Sequence, residues 1–369
     1  MKNKLLGVLI ALFLLTITYS GCIEDKETGD KSETGEIFYH NLTIKDLEIS
    51  TDNLPNISSS TSAHPLAMLI ACKILNISTI WTDELYFPYH YGGRIEIVNI
   101  THLNTYQYPY YGYNDKERYL IPNASNPDKE YIAENITNKV DRGGTHGSYV
   151  GLIEGNYSLI IVARLPSDDE LQLAVNNSVD LIAKPIALDA FVFILNNWNQ
   201  VDNLTVEQIQ EIYTGQITNW SEINSSFFSE GFSRITAYQR NDNSGSQELM
   251  KTLVMKDLEM IEEEEMVSYS MMGPFDSTFY DVYGIAYSVY YYKQFMATYY
   301  NNVKFCGVDG VFPCYDTIYA KTYPYTTEVY IVIRDDLDSS SSSYKIRDWL
   351  LGDDGQEIVK ESGYVPISE

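Results

Sequence analysis

Arg240, Ser244 and Ser246 fall within the seven-residue segment Arg-Asn-Asp-Asn-Ser-Gly-Ser. One guanidinium and two hydroxyls at that spacing can converge on a single group of acceptor oxygens if the backbone turns between them. A Ser-Gly-Ser turn that opens a helix near Gln247 supplies the turn. It also brings unpaired backbone N–H groups and the positive end of the helix dipole to the same small volume. Such a volume suits an oxyanion.

Two other stretches have the same character. Hydroxyl residues run from Ser58 to Ser62 and lead through Ala63 and His64 to Pro65, then to the apolar stretch Leu66 to Leu75. Pro65 suits a first helical turn, where its missing N–H costs nothing, and the hydroxyls suit caps. The segment Gly143 to Gly155, Gly-Gly-Thr-His-Gly-Ser-Tyr-Val-Gly-Leu-Ile-Glu-Gly, reads as a third hydroxyl-bearing turn entering a helix.

The elements that must position these turns are partly written in the sequence. A strand from Ile235 to Gln239 delivers Arg240, and a strand from Ser158 to Arg164 follows the third turn. Further strands are expected at Ala190 to Leu195 and Glu328 to Arg334. Thr205 and Gln208 form a capping box at the start of a short helix that Gly215 ends with a positive φ. Ser339 to Ser343 cap an amphipathic helix predicted to run unbroken from Tyr344 to Ser362, with Gly363 near its end. Strands alternating with helices define an α/β protein with mixed, mostly parallel sheets.

The chain has 369 residues, 44% of them hydrophobic, enough for more than one domain, and two lobes are expected. Residues 1–22 combine the basic start Met-Lys-Asn-Lys, an apolar run from Leu5 to Thr18, and Ser20-Gly21 before Cys22. That pattern is an export signal of the lipoprotein kind, with Cys22 the lipidated first residue of the mature chain. Residues 23–45 are charged and poor in large apolar groups, as in a flexible tether. The bulk of the chain is thus expected outside the cell, anchored to the outer face of the membrane. Glycosylation sequons at Asn41, Asn56, Asn76, Asn99, Asn123, Asn135, Asn156, Asn176, Asn203, Asn219 and Asn224 fit a surface glycoprotein.

A net charge of −26 argues against nucleic acid as a partner, because binding phosphate backbones needs a basic face. For a small anion the same charge mainly slows encounter, since salt screens it beyond ~8 to 10 Å, and a local cradle of donors can prevail. Of the four cysteines, Cys306 and Cys314 bracket a loop in which a disulfide is expected outside the cell, and Cys72 reads as a buried small hydrophobe. The five histidines are scattered, so no metal site and no cofactor are expected. The run Glu262 to Glu265 reads as a solvated helix face or loop. Ser148 and Ser244 could be nucleophiles of a hydrolase, but neither lies in Gly-X-Ser-X-Gly, so no enzyme is expected.

Several of these segments together resemble the phosphate-binding proteins that serve phosphate ABC transporters, within the type II periplasmic-binding-protein fold. The matching words are residues 60–66, Ser-Thr-Ser-Ala-His-Pro-Leu; 182–196, Ile-Ala-Lys-Pro-Ile-Ala-Leu-Asp-Ala-Phe-Val-Phe-Ile-Leu-Asn; and 203–220, from Asn-Leu-Thr-Val-Glu to Ile-Thr-Asn-Trp. Residues 240–246, the Val-Asp-Gly-Val of 308–311 and the closing stretch 349–367 continue the match in order. The resemblance implies two α/β lobes joined by two crossing strands, with lobe one at 46–186 plus 323–369 and lobe two at 187–322. It implies a monomer that closes on phosphate and hands it to a permease. The ligand contacts it implies are Thr61, Ser62, Ala63 and His64, then Thr145 and His146, and finally Arg240 with Ser244, Gly245 and Ser246.

The chain departs from that family in one respect. Members that bind phosphate often carry an Asp soon after the second turn, which accepts the proton of hydrogen phosphate; here the strand ends Val162-Ala163-Arg164, with no acid before Asp168. If Arg164 faces the cleft, sulfate or another oxyanion becomes an alternative ligand, and if it faces solvent it is an ordinary strand-end charge. A surface sensor or attachment glycoprotein on the same fold is the other alternative, motivated by the sequons and the Tyr-rich stretch 80–140.

Overall fold

The structure, a computed structural model, describes residues 42–77, 79–82, 119–122, 129–225, 233–261, 264–298 and 300–368. The export signal, Cys22, most of the tether, the sequons at Asn41, Asn99 and Asn123, Glu262 and Glu263, and most of the Tyr-rich stretch lie outside them. Among the described residues no helix is long and apolar enough to cross a membrane.

The first strand, β1 (Ile57–Ser59), is wholly buried, and the turn after it opens α1 (His64–Ile74) with Pro65 in the first turn. A short antiparallel pair, β2 (Thr79–Thr82) with β3 (Tyr119–Pro122), precedes α2 (Lys129–Lys139) and β4 (Val140–Asp141). Then follow α3 (Gly144–Ile153), β5 (Leu159–Val162) and α4 (Asp168–Asn176). β4 and β5 flank β1, both parallel to it, so the turns that begin α1 and α3 leave the same end of neighbouring strands.

The next strand, β6 (Leu181–Asn196), is sixteen residues long. Its first part pairs with β13 (Thr326–Arg334), which also pairs with β5, and its last part pairs with β11 (Gly284–Val289) and β12 (Val303–Val308). All these pairs are antiparallel, whereas β11 with β8 (Thr236–Ala237) and β12 with β7 (Asn203–Leu204) are parallel. The main sheet is therefore mixed, in the order β4-β1-β5-β13-β6-β11-β8. Opposite Val329 and Tyr330 the register skips Ile186, a bulge next to Pro185, which has no N–H to give to a ladder.

From Ile186 to Asn196 every residue of β6 is buried. Phe191 and Phe193 pack edge-on with ring centroids 5.6 Å apart, and Tyr213, Tyr287 and Tyr325 close around them. Each such ring removed from water contributes ~1.5 to 3 kcal/mol, so this cluster anchors the middle of the fold.

The capping box at Thr205 forms as expected: Gln208 N donates to Thr205 Oγ1 at 3.1 Å, and Thr205 N to Gln208 Oε1 at 2.9 Å. It begins α5 (Val206–Tyr213), and Gly215 takes φ +77° just past its end. The short α6 (Trp220–Ile223) follows, and its buried Trp220 donates Nε1–H to the Tyr283 carbonyl at 2.9 Å. β9 (Gln239–Arg240) leads to α7 (Gly245–Leu249), and β10 (Val267–Ser268) to α8 (Gly273–Tyr280). The short α9 (Tyr315–Tyr319) precedes β13.

Two expectations are corrected here. The predicted helix 344–362 is two helices, α10 (Ser342–Leu351) and α11 (Asp353–Ser362), broken where Gly352 is extended (ψ 173°), before β14 (Val365–Pro366) pairs with β6. Gly355 explains the break: a Cβ there would lie 2.3 Å from Leu350 Cα and Trp349 O, so only glycine lets α11 turn back so closely. The expected disulfide is absent, and Cys306 and Cys314 are free thiols. Cys306 is buried on β12, opposite Phe193 of β6, whereas Cys314 is exposed as the residue before α9, its sulfur 3.4 Å from Thr317 Oγ1. Cys72 is buried on α1, as expected.

Candidate functional site

Turn three holds the charge. β9 ends at Arg240, and α7 starts at Gly245 with Ser244 as its N-cap, Ser244 Oγ accepting from Gln247 N at 3.1 Å. The Arg240 backbone N–H is shared by Tyr287 Oη at 3.0 Å and Gln247 Oε1 at 3.2 Å, and Tyr287 itself donates to Gln247. This buried network sets the position of the arginine at its Cα. Arg240 as a whole is 6% exposed, and its guanidinium donates Nε–H to the Ser268 carbonyl at 3.0 Å and Nη1–H to the Met271 sulfur at 2.9 Å.

Arg240 has no carboxylate partner among the described residues. Asp242, two positions along, pairs instead with Lys251 at 2.8 Å, and Glu248 lies 3.7 Å from the same ammonium. Burial pulls the guanidinium's pKa down from its ordinary value, the mark of a cation short of compensating charge. An isolated buried charge is costly, so a group that brings negative charge to Arg240 is strongly favoured.

Turn two faces turn three. Gly143 and Gly144 (φ +72°) start α3, and a Cβ on Gly143 would meet Ser58 Oγ at 2.8 Å. Thr145 is buried, and a Cβ on Gly245 would come within 2.6 Å of Thr145 Oγ1. Glycine at 245 is what allows the start of α7 to sit against the start of α3. Turn one, Thr61 to Ala63, leads into α1 from the end of β1, with Ser62 and Ala63 buried. The backbone N–H groups of Thr61 and Ser62 have no acceptor among the described residues.

The side chains of the two histidines belong to the scaffold. His64 Nδ1 lies 3.0 Å from Ser59 Oγ, and burial, helped by nearby Arg142, holds its pKa down at about 4, so the ring is neutral. His146 Nδ1 lies 3.0 Å from Glu170 Oε1. Ser148 Oγ is buried 2.9 Å from Ser58 Oγ, and Ser244 Oγ is used in the cap.

Arg164 takes neither of the orientations left open by the sequence. It is 5% exposed and forms a two-point ion pair with Glu170, Nη1–Oε2 at 2.8 Å and Nη2–Oε1 at 2.9 Å. Its guanidinium lies over the Tyr149 ring, 5.7 Å from the centroid. Glu170 reaches it because it is also the far half of a capping box, accepting from Ser167 N at 2.9 Å. The Ser-X-X-Glu spacing of residues 167–170 was the signal that could have found this acid. Met271 carried no comparable signal. Among the described residues no cluster of His, Cys, Asp or Glu could hold a metal ion.

A mixed α/β sheet held together by one long strand, with the start of α7 set against the start of α3 beside a buried cation, is the architecture of a solute-binding protein. The chain belongs to the PBP superfamily, whose domain model matches residues 129–343. Its relatives include the phosphate-binding protein PstS of Borreliella burgdorferi, 24% identical over 64% of this chain and 82% of that protein. Among solved structures, a candidate phosphate ABC transporter substrate-binding protein from Clostridium perfringens, with bound phosphate, superposes with a TM-score of 0.54 at 20% identity, covering 87% of this chain and 99% of that one. An ABC-type phosphate transport receptor from Vibrio cholerae superposes with a TM-score of 0.51 at 19% identity, covering 86% and 99%. These likenesses establish the two-lobed fold.

Proposed function

We propose that the chain is an extracytoplasmic solute-binding protein that captures phosphate, or a closely similar inorganic oxyanion, for an ABC transporter. Arg240 is the observation that carries this reading: a buried guanidinium held by one carbonyl and one thioether, with no carboxylate beside it. The phosphate-binding relative from Borreliella burgdorferi and the phosphate bound in the Clostridium perfringens structure support the choice of ligand.

The ligand set is Thr61, Ser62, Ala63 and His64 through turn one, Thr145 and His146 through turn two, and Arg240, Ser244, Gly245 and Ser246 through turn three. The histidines and Ala63 contribute backbone amides, since both rings are already engaged. Hydrogen bonds to a charged group contribute ~1.5 to 3 kcal/mol each, against ~0.5 to 1.5 for neutral pairs. Closing the lobes on an anion thus gains most where Arg240 is. The lobes are 46–186 plus 323–369 and 187–322, with β6 and β13 as the crossing strands. Cys22 carries a lipid anchor, a permease is the partner, the working form is a monomer, and no catalysis is involved.

The test is isothermal titration of the full-length chain with phosphate, sulfate, arsenate and molybdate, beside Arg240→Ala. Phosphate binding that the variant loses supports the receptor. Preference for sulfate or molybdate keeps the cleft and changes the ligand. Silence toward all four anions removes the receptor reading in favour of a surface sensor or attachment protein.

A further inference from the structure

Two of the groups assigned to the anion converge on one sulfur atom. Arg240 Nη1 donates to Met271 Sδ at 2.9 Å, and Ser246 Oγ lies 3.8 Å from the same atom. Met271 sits in the bend between β10 and α8, partly buried against the core, and its neighbour in the contact, Arg240, comes from 31 residues earlier in the chain. A second thioether lies at the rim of the same network, Met260 Sδ at 3.8 Å from Gln247 Nε2.

We propose that Met271 is an internal competitor at the anion site. Its sulfur takes the donors of Arg240 and Ser246, and an incoming anion displaces it. This inference rests on the reading of the site given above. A thioether is a weak acceptor, so it occupies the donors without satisfying the charge, and an oxyanion forms far stronger charge-assisted bonds to the same atoms. Methionine is suited to this exchange because three rotatable bonds let it leave with little strain. The side chain thereby lowers apparent affinity in proportion to the fraction of molecules in which it holds the site.

Two measurements test it on the full-length chain. Titration with inorganic phosphate should show Met271→Ala binding about threefold to tenfold more tightly than the wild type, as expected if the competing state holds most of the population; equal or weaker binding overturns the proposal. Spectra of protein labelled with carbon-13 in the methionine methyl groups supply a readout on the unaltered side chain. Phosphate should move the Met271 resonance while that of Met250, in the core, stays in place, and Arg240→Ala should move the Met271 resonance with no anion present. Phosphate binding with a stationary Met271 signal refutes the competitor and leaves the receptor standing. Absence of phosphate binding in wild type and Met271→Ala alike removes the receptor reading, and the competitor with it.

Discussion

Arg164 and Glu170 form a two-point ion pair from which water is excluded, with Glu170 at 0% exposure and both nitrogen–oxygen contacts below 3 Å. Removing Glu170 leaves Arg164 charged and without its ion-pair partner in the interior, which costs ~3 to 5 kcal/mol. Glu170→Ala should lower the stability measured by urea unfolding by that amount. Arg164→Met combined with Glu170→Leu should cost much less than the single change, because an apolar pair of similar volume is nearly neutral in such places. If the single and double variants unfold at the same midpoint, the pair is not what holds this corner.

Asp189 sets one pH dependence. It is 1% exposed on β6, its Oδ1 accepts from Ala190 N at 2.8 Å and Tyr291 N at 3.0 Å, and its Oδ2 has no partner among the described residues. Burial raises its pKa to about 7, against ~3.9 in an unfolded chain. Between those values the unfolded state has released the proton and the folded state has kept it, so stability falls as pH rises through this window. His64, lowered to about 4 by burial, acts with the opposite sign: its contribution is present above ~6.5 and is lost as pH falls toward 4. Asp189→Asn keeps both backbone contacts and leaves His64 alone. Relative to wild type it should gain on the order of 3 kcal/mol between about pH 4 and about pH 8, seen as a steeper rise of unfolding free energy with pH.

Gly355 and Gly147 predict opposite responses to the same substitution. Gly355→Ala drives a methyl into the backbone of Leu350 and Trp349 and should cost about 3 kcal/mol or more. Gly147 lies inside α3 with nothing within 4 Å of an added Cβ, so Gly147→Ala should be neutral or stabilise by ~0.5 to 1 kcal/mol. Denaturant midpoints of the two variants decide this.

The three thiols among the described residues should react in two classes. Cys314 is exposed, whereas burial pushes the Cys72 and Cys306 thiols up to about 12. A thiol reagent should label Cys314 in the native protein and the other two only after unfolding, because the thiolate is the reactive species. A linked 306–314 peptide recovered from native protein would contradict the structure.

What could be read from the sequence was local. The cap at Thr205, the Ser-Gly-Ser turn that opens a helix and the glycine after Ser362 depend on hydrogen bonds spanning three or four residues, so their spacing shows them. The three donor turns were visible for the same reason. β6 was legible only from Ala190 onward, because it begins with the half-buried run Leu181 to Pro185, and this earlier part pairs with a strand some 140 residues later. The break at Gly352 was missed because the apolar period continues across it, while its cause is the close approach at Gly355. Glu170 and Met271 were missed because the first reaches back from a helix start and the second meets Arg240 only through the pairing of β9 with β10.

The path of β6 through the sheet has a consequence for how the molecule can be taken apart. One continuous strand pairs first with β13 and then with β11 and β12, and β13 returns from the far end of the chain to meet it. Neither set of strands is thus a contiguous stretch of sequence, and a cut within β6 would divide a ladder rather than a linker. The two halves are not modules that could be exchanged or synthesised apart; gene truncation or shuffling would be tolerated only at the chain ends or in surface loops that leave β6 and β13 whole.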